Sequence, residues 1–166
     1  MSNNVENVRD KINKIKSDFQ IADEDFRLVR LTKYQQILHS ILNKFTSLKV
    51  SQINKWWWDS FLDQIYYFQP ENVFNALPML FDEKDSVWFI IEDESKKSEH
   101  YWLYEGNIYS IVPVLKELPF GEYYIVSKKL EWILCENHHN ILIGCGEPII
   151  NRMKILSKTK EAVIDK

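Results

Sequence analysis

The hydrophobic period of this chain changes once, near residue 86. Upstream, apolar residues recur every three or four positions; downstream, they alternate or run together in short stretches bounded by turn residues. Helices first, then strands, then one last helix do not fit an alternating parallel βαβ sheet. The order predicts α+β: N-terminal helices packed on a mostly antiparallel β-meander sheet, with a closing C-terminal helix. With 166 residues, a single domain spanning 1–166 is expected. Its helical part covers about 1–82 and its sheet and closing helix about 86–157, leaving 158–166 as a polar tail.

Val5, Val8, Ile12, Ile15 and Phe19 form a 3-4-3-4 stripe. This predicts a helix over about 4–20, packed on the domain rather than lying on a membrane surface. Thr32 and Gln35 read as a T-x-x-Q capping box ahead of Tyr34, Ile37, Leu38, Ile41, Leu42, Phe45 and Leu48, a second helix. The segment between them, ADEDFRLVRL, reads equally as a short strand or a loop. Ser51 caps a third predicted helix to about Tyr67, in which Ile53, Trp57, Phe61 and Ile65 repeat every four residues. Successive helical residues are about 100° apart, so Trp56, Trp57 and Trp58 cannot share one neighbour. Either that helix is buried on most sides or one indole is at the surface. Pro70 opens a shorter helix with Val73, Phe74 and Leu77, which Pro78 interrupts.

SVWFIIE is apolar on both faces, as in a central strand. YWLYE follows the charged loop EDESKKSEH. A Gly106-Asn107 turn then leads to a short strand at Ile108 and Tyr109, and Ser110 caps a helix with Pro113 in its first turn. EYYIVS, EWILCE and ILIGC make a meander, joined by a KKL turn and a tight NHHN tip. Gly146, Glu147 and Pro148 start the closing helix, with Ile149, Ile150, Met153 and Leu156 on its inner side. Trp88, Trp102 and Trp132 fall on strands and are expected in the packing.

Only four glycines are present, and neither a GxGxxG fingerprint nor a P-loop occurs. Residues 51–150 hold seven Lys and Arg against sixteen Asp and Glu, a balance of −9. Nothing there resembles the basic stripe that neutralises phosphates, so nucleic-acid binding is not expected and a basic protein partner is. Two cysteines are too few for a disulfide framework. No stretch is long and apolar enough to span a membrane, and the first residues lack a secretory h-region. The expected location is the cytoplasm, with Cys135 and Cys145 as buried thiols and Cys145 across the hairpin from Leu134 or Cys135.

Two sets of residues could carry function. Cys135, Glu136, His138 and His139 have the chemistry of an activated thiolate. Against this, Cys135 and Glu136 should face opposite sides of a strand, and the histidines sit in a turn. No paired metal-ligand spacing occurs, so neither metal nor cofactor is expected. The second set is acidic: Asp82, Glu83 and Asp85 before the first central strand, and Glu92, Asp93 and Glu94 after it. Trp56 or Trp58 would anchor a partner beside them, since Trp is over-represented at interface hot spots.

The stretch EYYIVSKKLEWILCENHHNILIGCGEPII resembles the C-terminal signature of a family of small bacterial proteins of unassigned function. It shares their E-Y-Y-I-V strand, W-x-L-C-E-N-H-H hairpin and G-x-P-x-I turn. VWFIIEDE and YWLYEG extend the resemblance over about 86–156. Asn137, His138 and His139 match the hairpin tip, to which that family attaches no role. Some small α+β proteins of this general type belong to toxin–immunity systems, and the lack of a catalytic constellation, the −9 central region and the excess of aromatics point to binding rather than chemistry. The expected function is therefore a cytoplasmic protein-binding domain, an immunity-type inhibitor that blocks a toxin by occlusion. The alternative is a small enzyme or ligand-binding domain using the Cys135/Glu136/His138/His139 hairpin.

Overall fold

A computed structural model describes residues 7–53, 56–93, 95, 101–119 and 121–164. Its centre is a seven-stranded, wholly antiparallel sheet in the order β1-β4-β3-β5-β6-β7-β2. The strands are β1 (Phe26–Leu28), β2 (Ile65–Phe68), β3 (Ser86–Glu92), β4 (Tyr101–Asn107), β5 (Tyr123–Ser127), β6 (Ile133–Glu136) and β7 (Leu142–Cys145). With helices α1 (Val8–Asp18), α2 (Leu31–Phe45), α3 (Val73–Ala76), α4 (Ile108–Glu117) and α5 (Glu147–Ile164), this is the expected α+β class.

Both faces of the sheet are covered. On one, Ile12 and Ile15 of α1, Ile111 and Leu115 of α4, and Ile149 and Met153 of α5 pack on Phe89, Ile125 and Leu134. On the other, Leu38, Ile41, Leu42 and Phe45 of α2 join Trp57 over Ile90, Tyr124, Ile133 and Cys135. Two-sided burial explains why the central strands read as unbroken apolar runs, a pattern more familiar from parallel sheets. The helix–sheet–helix layering also divides the N-terminal helices, with α1 and α2 on opposite faces.

The predicted third helix over 51–67 does not form. Val50–Gln52 and Trp57–Ser60 are single 3₁₀ turns, and Ile65–Phe68 is the edge strand β2. An aromatic, β-branched segment favours extended backbone, and here it covers the otherwise open edge of β7. The period of four in Ile53, Trp57, Phe61 and Ile65 therefore belongs to no helix. The Gly106-Asn107 turn and the strand at Ile108–Tyr109 are likewise absent. β4 continues to Asn107, whose side chain caps α4 by accepting from the Ser110 backbone N–H at 3.0 Å. Ser110 is therefore not the cap, and Pro113 lies inside the helix. It leaves free only the carbonyl of Tyr109, an exposed residue.

Smaller departures concern helix ends. α1 is capped by Asn7, which accepts from Asp10 N–H at 2.9 Å. Val5 lies outside the described residues, and Phe19 at the end of the stripe is exposed. α2 begins at Leu31, before Thr32, so the T-x-x-Q box does not form. The ambiguous segment supplies β1, paired with β4. α5 continues to Ile164, through most of the expected polar tail. Its start requires Gly146, with φ +99°, where a Cβ would stand 2.5 Å from the Glu131 carbonyl oxygen.

Candidate functional site

β3 ends, β5 begins and β6 ends at one extremity of the sheet, where Ile91 pairs with Tyr123 and Tyr123 with Glu136. Glu122, one residue before β5, is 3% exposed. One carboxyl oxygen accepts from the Tyr124 hydroxyl, the other from Trp58 Nε1 at 3.0 Å. His138 Nδ1 stands 3.8 Å from that second oxygen. The Tyr124 hydroxyl in turn accepts from the Trp57 backbone N–H at 3.0 Å. Three polar groups thus converge on one buried acid, each polarising the next. Burial pushes the Glu122 carboxyl up, outweighing the opposing pull of Tyr124, Trp58 and His138.

The Trp run divides over this acid. Trp57 is fully buried, its ring 4.9 Å from that of Tyr101 and 4.7 Å from that of Tyr124, and its Nε1 donates to the Ile53 carbonyl at 3.0 Å. Trp58 is half-buried over Glu122. Trp56 is 51% exposed, stacked on Trp58 at 5.9 Å and tilted on His138 at 5.0 Å. The hairpin tip that carries His138 is fixed by buried Asn137, whose side-chain oxygen accepts from the backbone N–H of His139 and Ile141. Trp56, Trp58 and His138 make an aromatic surface held from beneath by a buried carboxyl.

The other expected residues do not gather there as a group. Cys135 is fully buried against α2 and Trp57, on the opposite face of the sheet from Glu136. Burial pushes its thiol well above the ordinary range, the reverse of what a thiolate nucleophile requires. Cys145 pairs in register with Ile133, and Cys135 with Ile143. Both thiols are free. The His139 ring lies tilted against that of His138, with centroids 4.0 Å apart. Among the described residues, no three His, Cys, Asp or Glu side chains stand together as a metal-binding group.

The acidic set splits between the two ends of β3. Asp82 and Glu83 are exposed, and half-buried Asp85 accepts from the Asp82 backbone N–H at 3.1 Å and from Arg152 at 3.4 Å. A strand of this length carries them roughly 20 Å from the Glu122 end at about 3.3 Å per residue. Glu92 lies at the Glu122 end, its backbone N–H donating to the Glu122 carbonyl. Asp93 is fully buried and unavailable to a partner: Trp102 Nε1 donates to it at 2.8 Å, Ser95 and the Val8 backbone N–H donate as well. Burial pushes this carboxyl up, but those bonds win and hold it below its ordinary value. Glu94 lies outside the described residues.

Glu122 and Tyr124 are the site residues that spacing did not reveal. The one available signal is a charge immediately before YYIVS, a strand that carries none.

A family model described as a family of unknown function (DUF6756) matches residues 4–157, and the chain belongs to that family. The match takes in the helical half as well as the hairpin region that carried the resemblance. No curated protein matches the chain. Among the described residues, no helix is long and apolar enough to cross a membrane.

Proposed function

We propose that this family member is a protein-binding domain whose partner docks on the surface of Trp56, Trp58 and His138. In this reading it acts by occlusion, as an immunity-type inhibitor of a toxin in the cytoplasm. The observation that carries the proposal is Trp56, which leaves half its area in water while Trp58 and His138 pack against its ring. A large ring presented in a fixed orientation loses little freedom on binding, and such rings dominate interface energetics. Glu92, half-buried at the same end of the sheet, is an acidic neighbour of the rings, which suits a basic partner. The rival reading, an enzyme built on Cys135, Glu136, His138 and His139, needs convergence among side chains that lie on different faces of the sheet.

The test asks first whether the neighbouring reading frame encodes a toxin-like C-terminal domain, and then measures binding to that domain by titration calorimetry; a neighbouring frame without one counts against the immunity reading. Trp56→Ala is expected to weaken binding by about 30-fold, the equivalent of a ~2 kcal/mol hot spot. Reversing the charges of Asp82, Glu83 and Asp85, at the far end of β3, should change affinity by less than about threefold, as for charges outside an interface core. Unchanged affinity in Trp56→Ala removes the aromatic surface as the docking face. Strong loss from the far-end reversal moves that face to the other end of the sheet.

A further inference from the structure

Behind the aromatic surface, on the opposite face of the sheet, a cleft of about 510 Å³ opens between α3, the end of α4 and the strand ends. Its volume falls among those of small-molecule sites, about 300–1,000 Å³. Val73, Phe74, Ile91, Leu115 and Leu118 give it apolar walls. Two polar side chains line it from the sheet, directly opposite each other in the β5–β6 register: Tyr123, 3% exposed, and Glu136, 4% exposed.

Neither receives a hydrogen bond from any other described residue, so each has only the other beside it. The Tyr123 hydroxyl oxygen is buried without a hydrogen-bond partner. It lies near enough to Glu136 for the two to influence each other's ionisation. Among the described residues no N–H donates to the Glu136 carboxyl, and no Lys or Arg pairs with it. A buried phenol oxygen that accepts from no donor costs about 1–3 kcal/mol, and a carboxyl this deep with no cation paired to it is poorly compensated. Native proteins keep few such groups, and keep them where something else completes the bonding.

We propose that this cleft binds a small aliphatic ammonium ion, its nitrogen against Glu136 and Tyr123 and its hydrocarbon along Val73, Phe74 and Leu115. An ammonium carries three donors and no acceptor. One N–H meets the carboxylate and a second the phenol oxygen, whose own proton is then free to turn towards the carboxylate. The hydrocarbon gains the apolar walls. The lining carries two carboxyls, Glu71 and Glu136, against one cation, Lys116, and an anion seated on the sheet would face Glu136. An uncharged apolar ligand would leave both polar groups as they are. Burial pushes the Glu136 carboxyl up, and a bound cation supplies the countercharge that reverses this penalty.

The test is NMR titration of the full chain with n-butylammonium, with butyrate and 1-butanol as controls of the same carbon length. Saturable shifts confined to residues around the cleft are expected with butylammonium and not with butyrate. Glu136→Gln, nearly isosteric, should weaken binding by at least about tenfold, the loss of a charge-assisted hydrogen bond. Val73→Trp, which fills the apolar wall and leaves Glu136 intact, should abolish it. Absence of saturable butylammonium binding in the natural chain overturns the proposal. So does equal binding of butyrate, or unchanged affinity in Glu136→Gln and Val73→Trp. Trp56→Ala, on the other face, should leave butylammonium binding unchanged; a comparable loss in that variant would count against the site.

Discussion

Three adjacent tryptophans in three environments make an internally controlled experiment. Trp57→Ala empties a fully buried site between Tyr101 and Tyr124 and removes the donor to the Ile53 carbonyl. Large aromatic deletions of this kind cost about 3–5 kcal/mol. Trp58→Ala withdraws one of the donors to buried Glu122. Leaving a buried polar group short of a donor costs about 1–3 kcal/mol. Trp56→Ala removes a ring already 51% exposed, stacked on Trp58 and tilted on His138. Its stability cost should stay within the ~0.5–1.5 kcal/mol of aromatic pairing. Urea unfolding followed by far-UV circular dichroism measures all three without relying on indole fluorescence. The order Trp57 > Trp58 > Trp56 is the expected result. Equal costs, or a Trp56→Ala penalty matching that of Trp57→Ala, would refute the division of the run into core, bridge and surface, and with it the availability of Trp56 to a partner.

Two further outcomes follow from groups beneath these surfaces. Burial raises the folded-state values of both Glu122 and Glu136, so the folded chain holds their protons more tightly than the unfolded one. Their contribution is fully present below the ordinary carboxyl value of about 4.5 and is lost as pH rises through the raised values. The stability of the natural chain relative to Glu122→Gln, measured by urea unfolding from about pH 4 to 8, should therefore fall with pH; a flat or rising difference contradicts the assignment. At the β7–α5 contact, a Cβ on Gly144 would overlap Met153 Sδ and come within 3.3 Å of Ile149. Gly144→Ala should cost about 1–3 kcal/mol by overpacking, and Met153→Ala about 2–5 kcal/mol. Their double mutant should recover about 0.5–3 kcal/mol relative to the sum; strict additivity would mean that helix and sheet do not meet there.

What could be read from the residues was whatever is decided locally. EYYIVS, EWILCE and ILIGC carry their turns beside them, and they form β5, β6 and β7 in the expected antiparallel order. Ile65–Phe68 is extended because β7 offers it an edge about eighty residues later, a fact absent from its own window. Asn107 is a common turn residue and a common N-cap, and only the continuation of β4 decides between them. The same limit governs the site. Trp56 and Trp58 stood out by crowding, but Glu122 acquires its meaning from Trp58, 64 positions earlier. Glu92 and Asp93 look alike in sequence; strand alternation and the partners Trp102 and Ser95 take one inward.

Both outermost strands of the sheet, β1 and β2, come from the first half of the chain, while the five between them come from the second. During synthesis the two flanking pieces leave the ribosome before there is any sheet to flank. They must wait, unpaired, until β4 and β7 are made. The second half arriving alone would present two bare, fully hydrogen-bonding margins, the geometry by which sheets of separate molecules join. The early segments thus act as stays against self-association, and the chain cannot finish folding from either end alone. Completion is a long-range closure, of the slow class expected when distant strands must meet.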